Sequence, residues 1–173
     1  MSEHQEPSDH IFEETRDKIK GWLRDNKYTY KNPNDKHMAW SYLAFESENT
    51  GFGFGVGQGL GRPESINLSA QMMFDDYSAD IQRLTVQRHR ELLFKLRFRL
   101  LATGVNFLLS DTLSSATIQR VLYTEDVTRS EFWKNVEEIR RAITTVIWTL
   151  EEQFGGSQVP SAGFNPITGG TAH

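Results

Sequence analysis

A chain of 173 residues, 38% hydrophobic and 24% charged, fits one globular domain large enough to bury a core of its own. A formal charge of −4 disfavours nucleic acid as a partner of the whole surface, and the absence of cysteine excludes disulfides, thiol nucleophiles and cysteine-ligated metal centres. Met1-Ser2-Glu3-His4-Gln5-Glu6 is polar and acidic without an apolar signal core, and no apolar run approaches bilayer length, so a cytoplasmic protein with no membrane partner is expected.

Residues 1–8 read as a disordered lead. Ser8 or Asp9 then caps a first helix to about Asp25, with Ile11, Phe12, Ile19, Trp22 and Leu23 on one side. Asn32-Pro33-Asn34-Asp35 lies in a turn-rich connection, and Tyr28-Thr29-Tyr30 reads as a short extended piece within it. Three strands follow. Met38–Ser47 sets Met38, Trp40, Tyr42 and Ala44 on one face and Ala39, Ser41, Leu43 and Phe45 on the other. Glu48-Asn49-Thr50 turns into a ribbon, Gly51–Gly61, with glycine at every odd position and Phe52, Phe54, Val56, Gln58 and Leu60 between. Arg62–Ser65 turns again into Ile66–Phe74. Such short connections favour an antiparallel meander with the ribbon at its centre. Glycine is costly in a central strand, so a helix or partner is expected to pack closely on the bare face.

From about Ser78 to Thr103 the period becomes helical, with a stripe of Leu92, Leu93, Leu96, Leu100 and Leu101 ending at Gly104. Val105–Ser110 and Ala116–Glu125 read as two further strands joined by a polar turn. Thr128 and Glu131 form a capping box for a final helix to about Phe154, with Phe132, Val136, Ile139, Ile143 and Leu150 along one seam. The Gly-, Ser-, Thr- and Pro-rich residues 155–173 read as a disordered tail, leaving 9–154 as a single domain. The order α-β-β-β-α-β-β-α predicts an α+β fold with an antiparallel sheet of about five strands and three principal helices.

Leu96-Arg97-Phe98-Arg99-Leu100-Leu101 running into Gly104-Val105-Asn106-Phe107 resembles a segment of an uncharacterised, mainly archaeal family with a type III secretion chaperone-like fold. Ile66-Asn67-Leu68-Ser69, Ile118–Tyr123, Thr128, Phe132 and Val146-Ile147-Trp148 extend the resemblance over roughly residues 10–152. It implies that fold and no catalytic residues. Secretion chaperones of this fold are small acidic dimers that bind an extended segment of a client; the glycine ribbon and the basic second helix depart from them.

No catalytic constellation is legible. The six ribbon glycines share one parity, whereas a dinucleotide-binding fingerprint needs both, and no Lys-Ser or Lys-Thr follows for a phosphate loop. His4, His10, His37, His89 and His173 stand in no metal-ligating spacing, so neither metal nor cofactor is expected. Arg83, Arg90 and Arg97 recur every seven residues and outline an anion or nucleic-acid site, against the commoner case of a solvated face balanced by Glu151 and Glu152. Trp133 and Trp148 lie off the seam of the last helix, which suits a dimer or client interface or a broad groove in the protein's own sheet. The expectation is a noncatalytic, homodimeric protein-binding or chaperone-like module, with Trp133, Trp148, Phe52 and Phe54 as contact residues. Anion binding through the basic helix is the alternative.

Overall fold

The structure, a computed structural model, describes residues 6–46 and 52–155; the expected lead before Glu6, the turn at residues 48–50 with Gly51, and the tail beyond Gly155 lie outside the described residues. Helix α1 (Glu6–Asp25) begins earlier than Ser8 or Asp9 and buries Phe12, Thr15, Ile19 and Leu23 at three- and four-residue spacing. It ends where Lys27 takes a left-handed φ of 62° and the Tyr28 amide donates to the Leu23 carbonyl at 2.9 Å, a Schellman-type stop.

Among the described residues six strands form one antiparallel sheet: β1 (Thr29–Lys31), β2 (Met38–Phe45), β3 (Gly53–Gly59), β4 (Ser65–Met73), β5 (Asn106–Leu109) and β6 (Ser115–Tyr123), in the order β1-β2-β3-β4-β6-β5. The mixed α+β fold is therefore as the sequence predicts, with the extended piece at Tyr28–Tyr30 becoming a sixth, edge strand. A short α2 (Ser78–Gln82) and the long α3 (Val86–Leu101) connect β4 to β5, and α4 (Arg129–Phe154) closes the chain. The single helix expected over Ser78–Thr103 is thus split. Thr85 is extended at ψ 156° and accepts from the Arg88 amide at 3.3 Å, so a new helix starts there. The capping box works as expected, Thr128 accepting from the Glu131 amide at 3.2 Å.

Alternation sorts the sheet into two faces. Tyr42, Ala44, Phe54, Val56, Ile66, Leu68, Ala70, Ile118 and Leu122 point to the helices and are buried with Leu92, Leu96, Leu100 and the α4 seam. Phe54 joins α1 to α4 through an aromatic hub, 5.6 Å from Tyr28 and 6.2 Å from Phe132, with Trp22 5.5 Å from Phe132. The polar residue of the ribbon on this face, Gln58, is wholly buried and satisfied: it accepts from the Trp40 indole at 2.8 Å and donates to the Pro63 carbonyl.

The bare face of the ribbon is not under a helix. Gly53, Gly55, Gly57 and Gly59 look away from the helical layer, and β2 closes over part of the strip instead. A Cβ on Gly57 would stand 2.6 Å from Met38 Cε and 2.8 Å from the Trp40 carbonyl oxygen; one on Gly53 would stand 2.9 Å from the Phe45 ring. Met38 gets there through a bulge that pairs Met38 with Gly59 and Trp40 with Gln58. The extra residue moves Met38 off the Trp40–Tyr42–Ala44 face to which simple alternation assigns it.

Candidate functional site

Two surfaces are unlike ordinary solvated faces. The first is the outer side of α3. Leu92, Leu96 and Leu100 point inward, which turns Phe94, Phe98 and Leu101, at i, i+4 and i+7, outward; they are 71%, 67% and 67% exposed. The Phe94 and Phe98 rings stack with centroids 6.4 Å apart. Leu101, expected in the core stripe, is therefore on the surface. Trp148 of α4, also exposed, stands one helix away, where Arg99 bonds Thr149 at 3.0 Å and Glu152 at 2.7 Å.

The same helix carries the expected anion site, and internal pairing consumes most of its charge. Lys95 reaches Glu152 at 2.9 Å, Arg97 reaches Asp111 at 3.2 Å and Arg88 approaches Glu91 at 4.0 Å. Arg83 is separated from the other two by the break at Thr85 and lies 3.6 Å from Asp80. Of Arg83, Arg90 and Arg97, Arg90 alone makes no ion pair among the described residues.

The second surface is the open face of the sheet. Its outward positions run Ser41 and Leu43 on β2, glycines on β3, Asn67, Ser69 and Gln71 on β4, and Thr117 and Gln119 on β6. No charged side chain occupies an outward position from β2 to β6. A groove of about 200 Å³ opens over Gly55 and Gly57, walled by Ser41 and Leu43 on one side and Asn67 and Ser69 on the other, with Gln119 beyond and Pro33, Asp35 and Met38 also in its lining. Its hydroxyls and amides both donate and accept, and Asp35 is its one carboxylate.

The remaining contact residues expected from sequence gather elsewhere. Phe54 is 1% exposed and belongs to the aromatic hub. Trp133 is half-buried, 5.2 Å from Tyr28 and 5.0 Å from Phe132. Phe52 lies under the Arg140 guanidinium, 4.8 Å from its ring centre. Of the four, Trp148 alone is presented to solvent. Sequence reasoning missed Phe94 and Phe98, although both fall opposite the leucine stripe on a helical wheel.

Around that hub, Arg140 bonds Glu46 at 2.5 Å and the Tyr28 hydroxyl at 2.9 Å, clamping α4 to the end of β2. Burial pushes the Tyr28 phenol up to about 12, against the pull of Arg140. The unfolded phenol titrates near 10. The unfolded chain then loses this proton first, so Tyr28's contribution is complete below about pH 10 and is lost on rising through about pH 12. Tyr42 and Tyr77 are raised by burial as well, so a comparison with Tyr28→Phe isolates the effect. Denaturant midpoints are expected to show wild type losing about 1 kcal/mol more than the variant between about pH 9 and 11.5, allowing for solvent screening. Parallel pH curves would remove Tyr28 from the account.

The fold and its two faces define a small α+β protein in which, among the described residues, a six-stranded antiparallel sheet is covered by helices on one side and carries none on the other. The chain belongs to a family of uncharacterized conserved proteins, DUF2299, whose profile matches residues 15–150. In structure it is similar to an uncharacterized protein from Methanothermobacter thermautotrophicus, at a TM-score of 0.75 and 21% identity over 82% of this chain and 99% of that one. No curated protein matches the chain. Among the described residues no helix is long and apolar enough to cross a membrane.

Proposed function

We propose that the protein is a noncatalytic, chaperone-like protein-binding module of the cytoplasm that forms a homodimer through the outer face of α3. The observation that carries this reading is the stacked, outward Phe94–Phe98 pair continued by Leu101. Two exposed phenylalanines and a leucine present on the order of 400 Å² of apolar surface, the size of the largest patch on a typical monomer, which is often a functional one. A basic helix would ordinarily repel its own copy. Here Lys95 and Arg99 share the carboxylate of Glu152 and Arg97 pairs with Asp111, so two of these three charges are balanced within the subunit and a second α3 meets aromatic surface bordered by Arg90 and one residual positive charge. The same pairing weakens the case for anion or nucleic-acid binding through Arg83, Arg90 and Arg97. The order of elements, with every long helix on one side of the sheet, suits a type III secretion chaperone-like fold, and a client would then be held by the dimer.

Light scattering after size exclusion tests it, at about 0.05 and about 0.5 M salt. Wild type is expected to be dimeric at both. Phe98→Asp is expected to weaken association by about 100-fold or more with unchanged circular dichroism, as for an interface hot spot. A wild-type monomer at both salts, or an equally tight dimer of the variant, would overturn the proposal. A low-salt complex with an oligonucleotide that vanishes at high salt would favour the arginine reading.

A further inference from the structure

Gly57 is required by its neighbours, but Gly55 and Gly59 are not. Among the described residues a Cβ on Gly59 would meet nothing within 4 Å, and one on Gly55 would meet the Ser69 hydroxyl at 3.3 Å, a group that can rotate away, and the Ser69 carbonyl oxygen at an ordinary 3.7 Å. Each glycine inside a strand costs roughly 0.5–1 kcal/mol against alanine. Packing within the described residues therefore leaves two such costs unexplained, and close approach of another chain to the strip explains both.

The groove beside them, over Gly55 and Gly57, suits a chain without acidic side chains. Asp35 is the one charged residue of its lining and would repel an acidic segment, whereas a neutral one exchanges hydrogen bonds with Ser41, Asn67, Ser69 and Gln119. Side chains two apart on β4 repeat every ~6.8 Å, the repeat of the N–H and C=O groups along the edge of an extended chain. This protein carries such a segment itself. All 19 Lys and Arg and all 23 Asp and Glu fall at or before Glu152, and the final residues read Phe164-Asn165-Pro166-Ile167-Thr168-Gly169-Gly170-Thr171-Ala172-His173.

The distances allow it. Helix α4 ends with Phe154 packed on Tyr77, 5.8 Å between ring centres, just past the end of β4. From there the groove lies one layer, ~10 Å, through the sheet and roughly 20 Å back along β4. Residues 156–173 span up to about 60 Å when extended, so about nine residues reach the groove and the rest can lie in it. We propose that residues 164–173 of the same chain lie extended along the Gly55–Gly59 strip, with Ile167 as the apolar anchor against Leu43 and Met38. This stands independently of the α3 dimer.

The full chain has no cysteine, so paired cysteines report the contact cleanly. In dilute protein under mild oxidation, Ser69→Cys with Thr168→Cys is expected to form an intramolecular disulfide at least about tenfold faster than Lys18→Cys with Thr168→Cys, whose first site is on exposed α1. Adding Ile167→Asp, outside the described residues, is expected to slow the Ser69 pair by about tenfold without altering circular dichroism. Equal rates for the two pairs would overturn the proposal. Disulfides formed only between chains would also overturn it, assigning the groove to a second copy's segment.

Discussion

Gly57→Ala is expected to cost about 2–3 kcal/mol, while Gly59→Ala, two residues along the same strand and face, is expected to be neutral or to stabilise by up to about 1 kcal/mol when both are made with Ile167→Asp, which keeps residues 164–173 off the strip. The contrast rests on what each new methyl would touch. At Gly57 the Met38 tip could rotate away, but the Trp40 carbonyl at 2.8 Å and the Ser41 Cβ at 3.0 Å belong to a paired strand and must move with it. Moving them loosens the bulge and the Trp40–Gln58 hydrogen bond beneath it. At Gly59 nothing among the described residues lies within 4 Å, so with residues 164–173 kept off the strip alanine simply restricts the unfolded chain. Urea midpoints for both variants check the pair. Equal and small losses would show that β2 yields easily and that the strip is not held by Met38.

That contrast marks how far the sequence could be read. The period-2 pattern of β4 and β6, the seam of α4 and the Thr128 cap were legible because each is a local rule with one outcome. The glycine parity correctly separated Phe54, Val56 and Gln58 from a bare face. What it could not show is which face the helices choose, since that depends on all the strands together. The Met38 flip was hidden because a bulge adds one residue without a sequence signature, and every assignment before it changes parity. The two candidate surfaces were harder still. Leu101 directly follows the buried Leu100 but lies about 100° round the helix from it, on the side of Phe94 and Phe98. Phe94 and Phe98 look like core material by composition, and their exposure follows only from the wheel position set by Leu92, Leu96 and Leu100.

Arg120 shows the opposite case, a charge placed among core positions. It stands between Ile118 and Leu122 on the helix-facing side of β6, opposite Leu68, with its side chain 28% exposed. Its guanidinium reaches the Glu138 carboxylate on α4 and donates to the Gly104 carbonyl at 3.0 Å, so one side chain ties the sheet, the last helix and the turn after α3 together. Its Nε is buried without a hydrogen-bond partner among the described residues, so the site is only partly satisfied. Removing one partner should therefore hurt more than removing both. Glu138→Ala is expected to cost about 2–3 kcal/mol, reduced from the fully buried case by the remaining exposure, because Arg120 keeps its charge and loses its counter-ion. The double variant Arg120→Met with Glu138→Leu is expected to lie within about 1 kcal/mol of wild type, since apolar side chains of similar size replace the pair and leave less polar surface stranded. Denaturant titrations of the singles and the double close the cycle. If the double loses as much as the two singles added together, the pair is not coupled and Arg120 acts through the Gly104 carbonyl alone.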